Sequence, residues 1–293
     1  MKISVIIPTK NRQDFLKRSL GSVLNQVGNN SELEVVIVND GSTDGTKEYL
    51  DELKNPKVIA IHNEQSVGGG KARNLALEKA TGDFVAFLDD DDFWKPNKIA
   101  IQEKYLSRYS FVGSKIQIVS GSGKKTEVFR KFFDAFTFTS GHLEKFNNVF
   151  LHRTGISPSC VIMSRKNLQE IGGFDPTLKA NQGRDLFIRY ALAFGSPYVI
   201  HKRLVIQYQN HGGRISSNTE NRIEAQKMIL ERYESNIPKH IASFDRARTI
   251  LRQARSEKDG KVKSELEREA ISNFSFRTLF SSMKLFAIYQ LSK

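Results

Sequence analysis

A run of four carboxylates is the feature of this sequence with the clearest chemical potential. Asp89, Asp90, Asp91 and Asp92 directly follow an apolar stretch at residues 84–88. Neighbouring like charges repel, so such a cluster is stable mainly where a cation or hydrogen-bond donors neutralise it. Mg²⁺ or Mn²⁺, with phosphate oxygens completing the shell, fits ligands of this kind. A solvated acidic turn capping the next helix is the alternative, but the position after an apolar stretch favours the metal.

A further carboxylate, Asp40, ends another apolar stretch and opens a turn of sequence Gly-Ser-Thr-Asp-Gly at residues 41–45. Its oxygens can accept a hydrogen bond from a nucleobase imide. An Asx-turn is the alternative role for Asp40. Ser42 or Thr43 is expected to cap the helix that follows.

Glycines followed by cations precede a third helical pattern, with Gly68, Gly69 and Gly70 before Lys71 and Arg73. Backbone amides at a helix start form an anion site, and the two cations would strengthen it. The spacing is neither a Walker A loop nor the Gly-x-Gly-x-x-Gly of a dinucleotide site. A simple glycine loop explains the stretch equally well.

These residues need strands and helices that bring them together. Short apolar runs predict strands at residues 3–7, 35–38, 58–61 and 84–88, and helical spacing of apolar residues predicts helices at 15–24 and 72–80. Strands that are apolar on both faces and separated by helices predict a parallel sheet covered on both sides. Ligands of such sheets bind at the carboxyl ends of the strands, where the polar residues above are found.

The remainder of the chain is less regular. The pattern predicts a helix at 96–109, strands at 111–119, 126–138, 159–164 and 198–208, a helix at 185–194, and charged helices from 218 onward with a break at Asp259 and Gly260. We therefore expect a catalytic domain at 1–217, with halves 1–110 and 111–217, and a helical region at 218–293.

Composition narrows the class of protein. A chain of 293 residues that is 39% hydrophobic can bury a full core, and its net charge of +13 attracts polyanions such as nucleic acid, anionic lipid or a substrate diphosphate. The single cysteine, Cys160, excludes an internal disulfide. The apolar run at the N-terminus is too short for a signal peptide and no run is long enough to span a membrane, so a cytoplasmic protein is expected.

Four motifs in order resemble family 2 inverting glycosyltransferases of the GT-A fold, a nucleotide-binding, doubly wound mixed α/β sheet with helices on both faces. They are Ser-Val-Ile-Ile-Pro-Thr-Lys-Asn-Arg at 4–12, Val-Asn-Asp-Gly-Ser-Thr-Asp at 38–44, Gly-Lys-Ala-Arg-Asn at 70–74 and Phe-Leu-Asp-Asp-Asp-Asp-Phe-Trp at 87–94. The resemblance implies transfer of a hexosyl or N-acetylhexosaminyl group from a nucleotide-sugar, with UDP the expected nucleotide. It also implies a saccharide or lipid-linked saccharide acceptor, as in the synthesis of bacterial surface polysaccharides.

The resemblance also assigns roles within the site. Asp91 is expected to touch Mn²⁺ or Mg²⁺, and Asp89 and Asp92 to lie beside the donor sugar. The residues expected at the nucleotide are Pro8, Thr9, Arg12, Asp40, Lys71, Arg73 and Asp90.

The general base is where this chain departs from the family. Members of the family usually place an acidic pair a few residues before the position of Leu186, and its aspartate serves as the general base. Here Gly183 occupies the position of that aspartate. Asp185 is the nearest carboxylate and becomes the candidate base, with a helix cap as its alternative role and Asp175 or Asp92 as substitutes. A base is needed because an acceptor hydroxyl attacks poorly until its proton is removed.

Two further segments have expected roles. His211 and Arg214 resemble the histidine-containing loop that closes over the diphosphate in this family. Residues 274–289 alternate basic and apolar side chains, a pattern that fits the inner face of a membrane. A helix that packs on the catalytic domain or on a second copy of the chain explains that pattern as well.

Other classes of protein fit less well. A nucleotidyltransferase would carry a glycine-rich loop after the first strand, where this chain has Pro8 to Arg12 without glycine. A nucleic-acid binder would account for the charge but not for the aspartates, because carboxylates repel phosphates unless a metal intervenes. A catalytically inactive family member that acts as a scaffold or nucleotide-binding protein is the remaining alternative, given Gly183.

Overall fold

A computed structural model describes residues 1–120, 141–150, 155–209 and 218–273. Within these ranges the chain divides into two compact units. The first contains the described residues within Met1–Pro176 and Gln182–Gly212, and the second those within Thr177–Asn181 and Gly213–Lys293. The predicted boundary near residue 217 lies outside the described ranges and stays a prediction.

The first unit begins with four strands that alternate with helices. The elements are β1 (Lys2–Thr9), α1 (Gln13–Leu24), β2 (Glu32–Asp40), α2 (Thr46–Glu52), β3 (Val58–Asn63), α3 (Gly69–Lys79) and β4 (Phe84–Phe87). β1 pairs in parallel with β2 and β4, and β2 pairs in parallel with β3. The predicted parallel sheet is therefore confirmed.

Burial follows the apolar runs. The side chains of Val5, Ile6 and Ile7 in β1, of Val35 to Val38 in β2 and of Val85 in β4 are inaccessible to solvent, as expected for strands covered on both faces. β3 lies at the edge of the sheet, where Ile59 is 40% exposed.

The second half of this unit completes a mixed sheet. It contains β5 (Asp92–Trp94), α4 (Lys98–Gln102), β6 (Phe111–Ser120), β7 (His142–Leu143), α5 (Phe146–Phe150), β8 (Val161–Ser164), α6 (Arg165–Glu170), α7 (Gln182–Phe194) and β9 (Tyr198–Gln209). The strand order is β3-β2-β1-β4-β8-β6-β9-β5, and β7 pairs with β9. β8 runs antiparallel to β4 and to β6, while β6 and β9 are parallel.

Three predicted boundaries are corrected. The helix expected at 96–109 is limited to α4 and a following 3₁₀ turn, Glu103–Tyr105. The strand expected from residue 159 begins at Val161, because Pro158–Cys160 form a 3₁₀ turn. The helix expected from Asp185 begins three residues earlier, at Gln182. The strand expected at 126–138 lies outside the described residues.

From Thr219 onward, the described part of the second unit is helical. It contains α8 (Thr219–Tyr233), α9 (Lys239–Ser256) and α10 (Gly260–Ser272). Asp259 caps α10 by accepting hydrogen bonds from the amides of Lys261 and Val262, which confirms the predicted break. No helix in the described ranges is long and apolar enough to cross a membrane.

Candidate active site

The carboxyl ends of the parallel strands bring the predicted residues to one edge of the sheet. Thr9 ends β1, Asp40 ends β2, and Asp89 follows β4 by two residues. Because all these strands run in the same direction, residues that are 30 to 80 positions apart in sequence become neighbours.

Thr9, the last residue of β1, and Arg12, which follows it in the next loop, hold the acidic run in place. Thr9 donates a hydrogen bond of 2.9 Å from its hydroxyl to Asp90 Oδ2, and Arg12 donates one of 2.9 Å to Asp90 Oδ1. The same guanidinium nitrogen lies 3.5 Å from Asp91 Oδ2. Thus Arg12 supplies part of the positive charge that the predicted cluster needs, and the capping alternative for the run does not account for these contacts.

Arg73 supplies a second positive charge. Its guanidinium lies 2.5 Å from Asp89 Oδ1 and 5.3 Å from the centre of the Phe174 ring. Gln182 accepts a further, longer hydrogen bond of 3.4 Å from Arg73. The side chain of Arg73 is therefore held against the acidic run.

Burial changes the protonation of two of the aspartates. Burial raises the pKa of Asp90 to about 6, against the opposite effect of Arg12 and Thr9. Burial, together with repulsion from Asp89, raises the pKa of Asp92 to about 8. Gln207 in β9 donates a hydrogen bond of 3.1 Å to Asp92 Oδ1. At neutral pH, Asp92 therefore carries a proton unless a cation approaches it.

The acidic run fits a divalent metal that shares its shell with a substrate. Among the described residues, no three acidic, histidine or cysteine side chains converge on one point as a complete protein cage would require. Mg²⁺, however, is commonly held by one or two carboxylates while phosphate oxygens and water complete its shell. Asp91 offers such a carboxylate, and Oδ2 of the buried Asp92 has no hydrogen-bond partner in the described part of the chain. These oxygen donors suit Mg²⁺ or Mn²⁺.

Asp40 anchors a loop. Its carboxylate accepts hydrogen bonds of 2.8 to 2.9 Å from the Asn63 side chain, the Ser66 hydroxyl and the amides of Val67 and Gly68. Burial works in the opposite direction, but these donors lower the pKa of Asp40. A carboxylate has about four acceptor positions, so recognition of a base by Asp40 requires that one donor be released. That role stays a prediction.

The expected cap by Ser42 or Thr43 is wrong. α2 starts at Thr46 after Gly45, and Asp44 accepts the hydrogen bonds from the amide and hydroxyl of Thr46. Ser42 and Thr43 instead contact Asn11, which has a positive φ of 53°. The Asn11 amide donates to Ser42 Oγ, and Asn11 Oδ1 accepts from the amide of Thr43. This link joins the loops after β1 and β2.

The remaining nucleotide-site predictions are placed but not tested. Pro8 is the second-last residue of β1 and is half-buried. Lys71 lies in the first turn of α3 and is exposed, without a hydrogen bond or ion pair to any described residue. His211 and Arg214 lie outside the described residues.

The start of α7 differs from what the candidate base requires. Asp185 is completely buried, and its Oδ2 lies 2.8 Å from two nitrogens of Arg189. Arg189 also donates hydrogen bonds to the carbonyls of Ile171 and Gly173. The alternative role of Asp185 was a helix cap, which is the residue that precedes the first turn. Asp185 lies within the first turn of α7, so this alternative is wrong. The pair ties α7 to the turn at 171–173.

Gly183 occupies a crowded position. A Cβ atom added there would lie 2.8 Å from Cγ of Pro158, closer than such atoms approach without displacement. A carboxylate at this position would therefore require Pro158 to move. The departure from the family at Gly183 is built into the packing of α7 against the 3₁₀ turn at Pro158–Cys160.

Sequence reasoning missed several partners in the site. Asn63 and Ser66 bind Asp40, Gln207 binds Asp92, and Gln182 and Phe174 contact Arg73. Asn63 had a usable signal, since it lies two residues after the strand predicted at 58–61 and ends β3 in the structure. Gln207 and Phe174 had none, because periodicity shows neither that β9 pairs with β5 nor that the turn after α6 packs against Arg73.

Comparison with known proteins agrees with this geometry. The model of the glycosyl transferase family 2 matches residues 4–172. A putative colanic acid biosynthesis glycosyl transferase, WcaA from Escherichia coli, is 28% identical over 84% of this chain and 83% of its own length. WfaP from Escherichia coli, a UDP-Glc:alpha-D-GlcNAc-diphosphoundecaprenol beta-1,3-glucosyltransferase, is 36% identical over 36% of this chain and 41% of its own length.

The fold agrees as well. The crystal structure of residues 1–349 of TarS from S. aureus, in complex with UDP-GlcNAc, superposes with a TM-score of 0.70 at 21% identity, over 95% of this chain and 83% of that one. The expected GT-A fold is confirmed. Since the family model covers more than half of the chain and the strand-edge residues are in place, this chain belongs to glycosyl transferase family 2.

Proposed function

We propose that this glycosyltransferase moves a sugar from a UDP-sugar to an acceptor hydroxyl with inversion, in the synthesis of a bacterial surface polysaccharide, and that it depends on Mn²⁺ or Mg²⁺. The observation that carries the proposal is the strand-edge cluster in which Asp89, Asp90 and Asp91 face Arg12 and Arg73. The names of WcaA and WfaP and the UDP-GlcNAc bound to TarS support the substrate class.

The residues of the site divide the work. Asp91 would hold the metal, with Asp92 beside it. When bound, the metal would neutralise the charge that develops on the departing diphosphate. Thr9 and Arg12 fix Asp90, and this fixation keeps the loop at 89–91 in one arrangement before the donor arrives. Such preorganisation lowers the barrier because the charges need not reorient during the reaction.

The general base stays a prediction. Asp185 would have to separate from Arg189 and reach solvent before it could accept a proton. Without a cation nearby, burial raises the pKa of Asp92 to about 8, so Asp92 could act as a base only where a cation beside it removes its proton. Asp185 stays the candidate, and its buried ion pair with Arg189 predicts a mainly structural role that its variant tests.

The acceptor and the place of action are part of the proposal. The name of WfaP describes a lipid diphosphate acceptor, and we propose a lipid-linked saccharide for this chain too. Such an acceptor would be met at the inner face of a membrane, as a peripheral contact of residues 274–289 would allow. Those residues lie outside the described ranges, and oligomer formation is likewise untested.

A donor panel tests the proposal. Purified protein is incubated with UDP-glucose, UDP-N-acetylglucosamine or GDP-mannose, with Mn²⁺ or with chelator, and release of the nucleoside diphosphate is measured with and without a lipid-linked saccharide. We expect release from a UDP-sugar, with metal only, and faster with the acceptor. Binding of UDP without release from any donor would favour the inactive nucleotide-binding alternative. Release from GDP-mannose alone would overturn the choice of nucleotide.

A further inference from the structure

A basic cavity lies beside β5 and β9 and contains no residue of the acidic cluster. Its volume is about 570 Å³, within the range of sites that bind small molecules. Five of its lining residues carry basic side chains: Lys95, Lys115, His201, Lys202 and Arg203. None of these residues was assigned to the donor site.

An irregularity in the sheet builds the cavity. β6 and β9 pair in register at Ser114 with Ile200, but the next pairs are Lys115 with Arg203 and Ile116 with Val205. β9 therefore contains extra residues opposite Lys115, which is the arrangement of a β-bulge. Bulges redirect side chains and bend the strand. Here the bulged stretch is His201 to Leu204, all of which line the cavity.

Lys95, the residue directly after β5, lines the cavity beside the bulge. The amide of Lys95 donates a hydrogen bond of 2.9 Å to the carbonyl of Leu204, which fixes Lys95 next to the bulge. Lys95 is three residues beyond Asp92, so at a strand rise of about 3.3 Å per residue the two lie roughly 10 Å apart. The cavity is thus a neighbour of the acidic cluster without sharing a residue with it.

Two of the lysines that line the cavity have no carboxylate partner among the described residues. The side chains of Lys95 and Lys202 make no hydrogen bond or ion pair with any described residue. Glu144 is the carboxylate that acts on Lys115, yet burial still lowers the pKa of Lys115. Burial, with help from Lys115 and His142, also lowers the pKa of His201 to about 4. An anion in the cavity would offset this crowding of positive charge.

We propose that this cavity is a second anion site that binds a phosphate group, separate from the nucleotide site. Lysine ammonium groups bind phosphate as point charges, and Arg203 can add a bidentate contact. A soluble phosphate compound and the phosphate of a lipid head group both present this chemistry. The site does not rest on the proposed function, since phosphate can bind whether or not transfer occurs.

A pair of charge-matched double variants tests the site. Lys95→Ala with Lys202→Ala removes the two lysines whose side chains have no partner among the described residues, so the contacts within the described part of β9 and β5 are retained. Lys54→Ala with Lys57→Ala is the control, because both are exposed and precede β3, at the other edge of the sheet. Binding of inorganic phosphate and of pyrophosphate is measured by calorimetry in metal-free, low-salt buffer. Flotation with vesicles of phosphatidylcholine, with and without phosphatidylglycerol, is measured in parallel.

We expect the first double variant to weaken phosphate binding by about tenfold or more, because each substitution removes an ammonium group that can make a charge-assisted hydrogen bond to the phosphate. The control should bind like the wild type. If the first double variant loses flotation but still binds phosphate in calorimetry, the ligand is a lipid head group. If it loses calorimetric binding but still floats with the vesicles, the ligand is a soluble phosphate compound. Equal behaviour of wild type and both variants in both measurements overturns the site.

Discussion

Carboxylates at two places in the first unit have opposite surroundings. At the strand edge, Asp89 has a side chain that is 30% exposed and is held by Arg73, which comes from a different element. At the start of α7, Asp185 is fully buried and its charge is matched by Arg189 of the same helix. The first carboxylate is open to an incoming ligand, and the second is closed within the protein.

The difference shows what makes a carboxylate available for chemistry. Asp89 to Asp91 lie in a loop after a short strand. The repulsion between them is relieved by the guanidinium groups of Arg12 and Arg73, and an incoming anionic ligand can also bind those groups. Asp185 and Arg189 instead connect α7 to the carbonyls of Ile171 and Gly173. Disturbing the first place should therefore change activity, and disturbing the second should change stability.

The largest effect is expected from Asp91→Asn. Asparagine keeps the size of the side chain but removes the charge that would hold the metal, so activity should fall by about 10³-fold or more. The melting temperature should stay within a degree or two, because a like-charge neighbour has been removed rather than a packing contact. Product formation and thermal unfolding are measured together.

Asp14→Asn serves as the matched control, since the side chain of Asp14 is 94% exposed. It should behave like the wild type in both measurements. Excess chelator should reproduce the loss caused by Asp91→Asn in the wild-type enzyme. Full activity of the Asp91 variant, or of the wild type in chelator, would remove the metal from the mechanism.

The second effect concerns Asp185→Asn. Breaking a buried ion pair typically costs about 3–5 kcal/mol, so the free energy of unfolding should drop by about 3 kcal/mol in urea titrations. Arg189→Gln should cost a similar amount, and the double variant should cost much less than the sum of the two. Turnover per folded molecule should change by less than about tenfold. A loss of about 10²-fold in turnover at unchanged stability would instead identify Asp185 as the general base.

The sequence predicted the acidic edge far better than the start of α7. Asp40 and the aspartates at 89–92 each follow an apolar strand, and the rule that parallel strands place their carboxyl ends together was sufficient to group them. At α7 the periodic pattern predicted a start at Asp185, three residues after the helix actually begins, at Gln182. The partnership of Asp185 with Arg189 and the contact of Gly183 with Pro158 depend on side-chain packing, for which periodicity gives no signal.

Glu34 is a third carboxylate, and like Asp185 it is expected to stabilise the fold. Its contribution to the free energy of unfolding should depend on pH. Glu34 is buried, and burial alone would raise its pKa, but hydrogen bonds from Lys2, Ser4 and Thr81 lower the pKa to about 2. A depressed pKa contributes stability above the unfolded value near 4.3, and this contribution is lost as the pH falls toward 2. Glu34→Gln should therefore cost about 3 kcal/mol at pH 7 and progressively less between about pH 5 and pH 2. A cost independent of pH would show that the charge of Glu34 contributes nothing.

The smallest effect is expected at Asp40. This residue lies at the strand edge like Asp89, but its hydrogen bonds hold the protein together as those of Asp185 do. All four of its acceptor positions are used by the loop at 63–68. Asp40→Ala should free that loop and weaken the binding of UDP by about tenfold, because several hydrogen bonds of about 1 kcal/mol each are lost. If the carboxylate acts only through the loop, the affinity for ADP falls by the same factor. If Asp40 releases a donor and accepts the uracil imide, the loss is confined to UDP and the preference over ADP disappears.

Calorimetry with both nucleotides separates the two roles, and Ser66→Ala is the control, because it removes one loop contact and leaves the carboxylate in place. Unchanged affinity for both nucleotides in Asp40→Ala would place Asp40 outside the nucleotide site altogether.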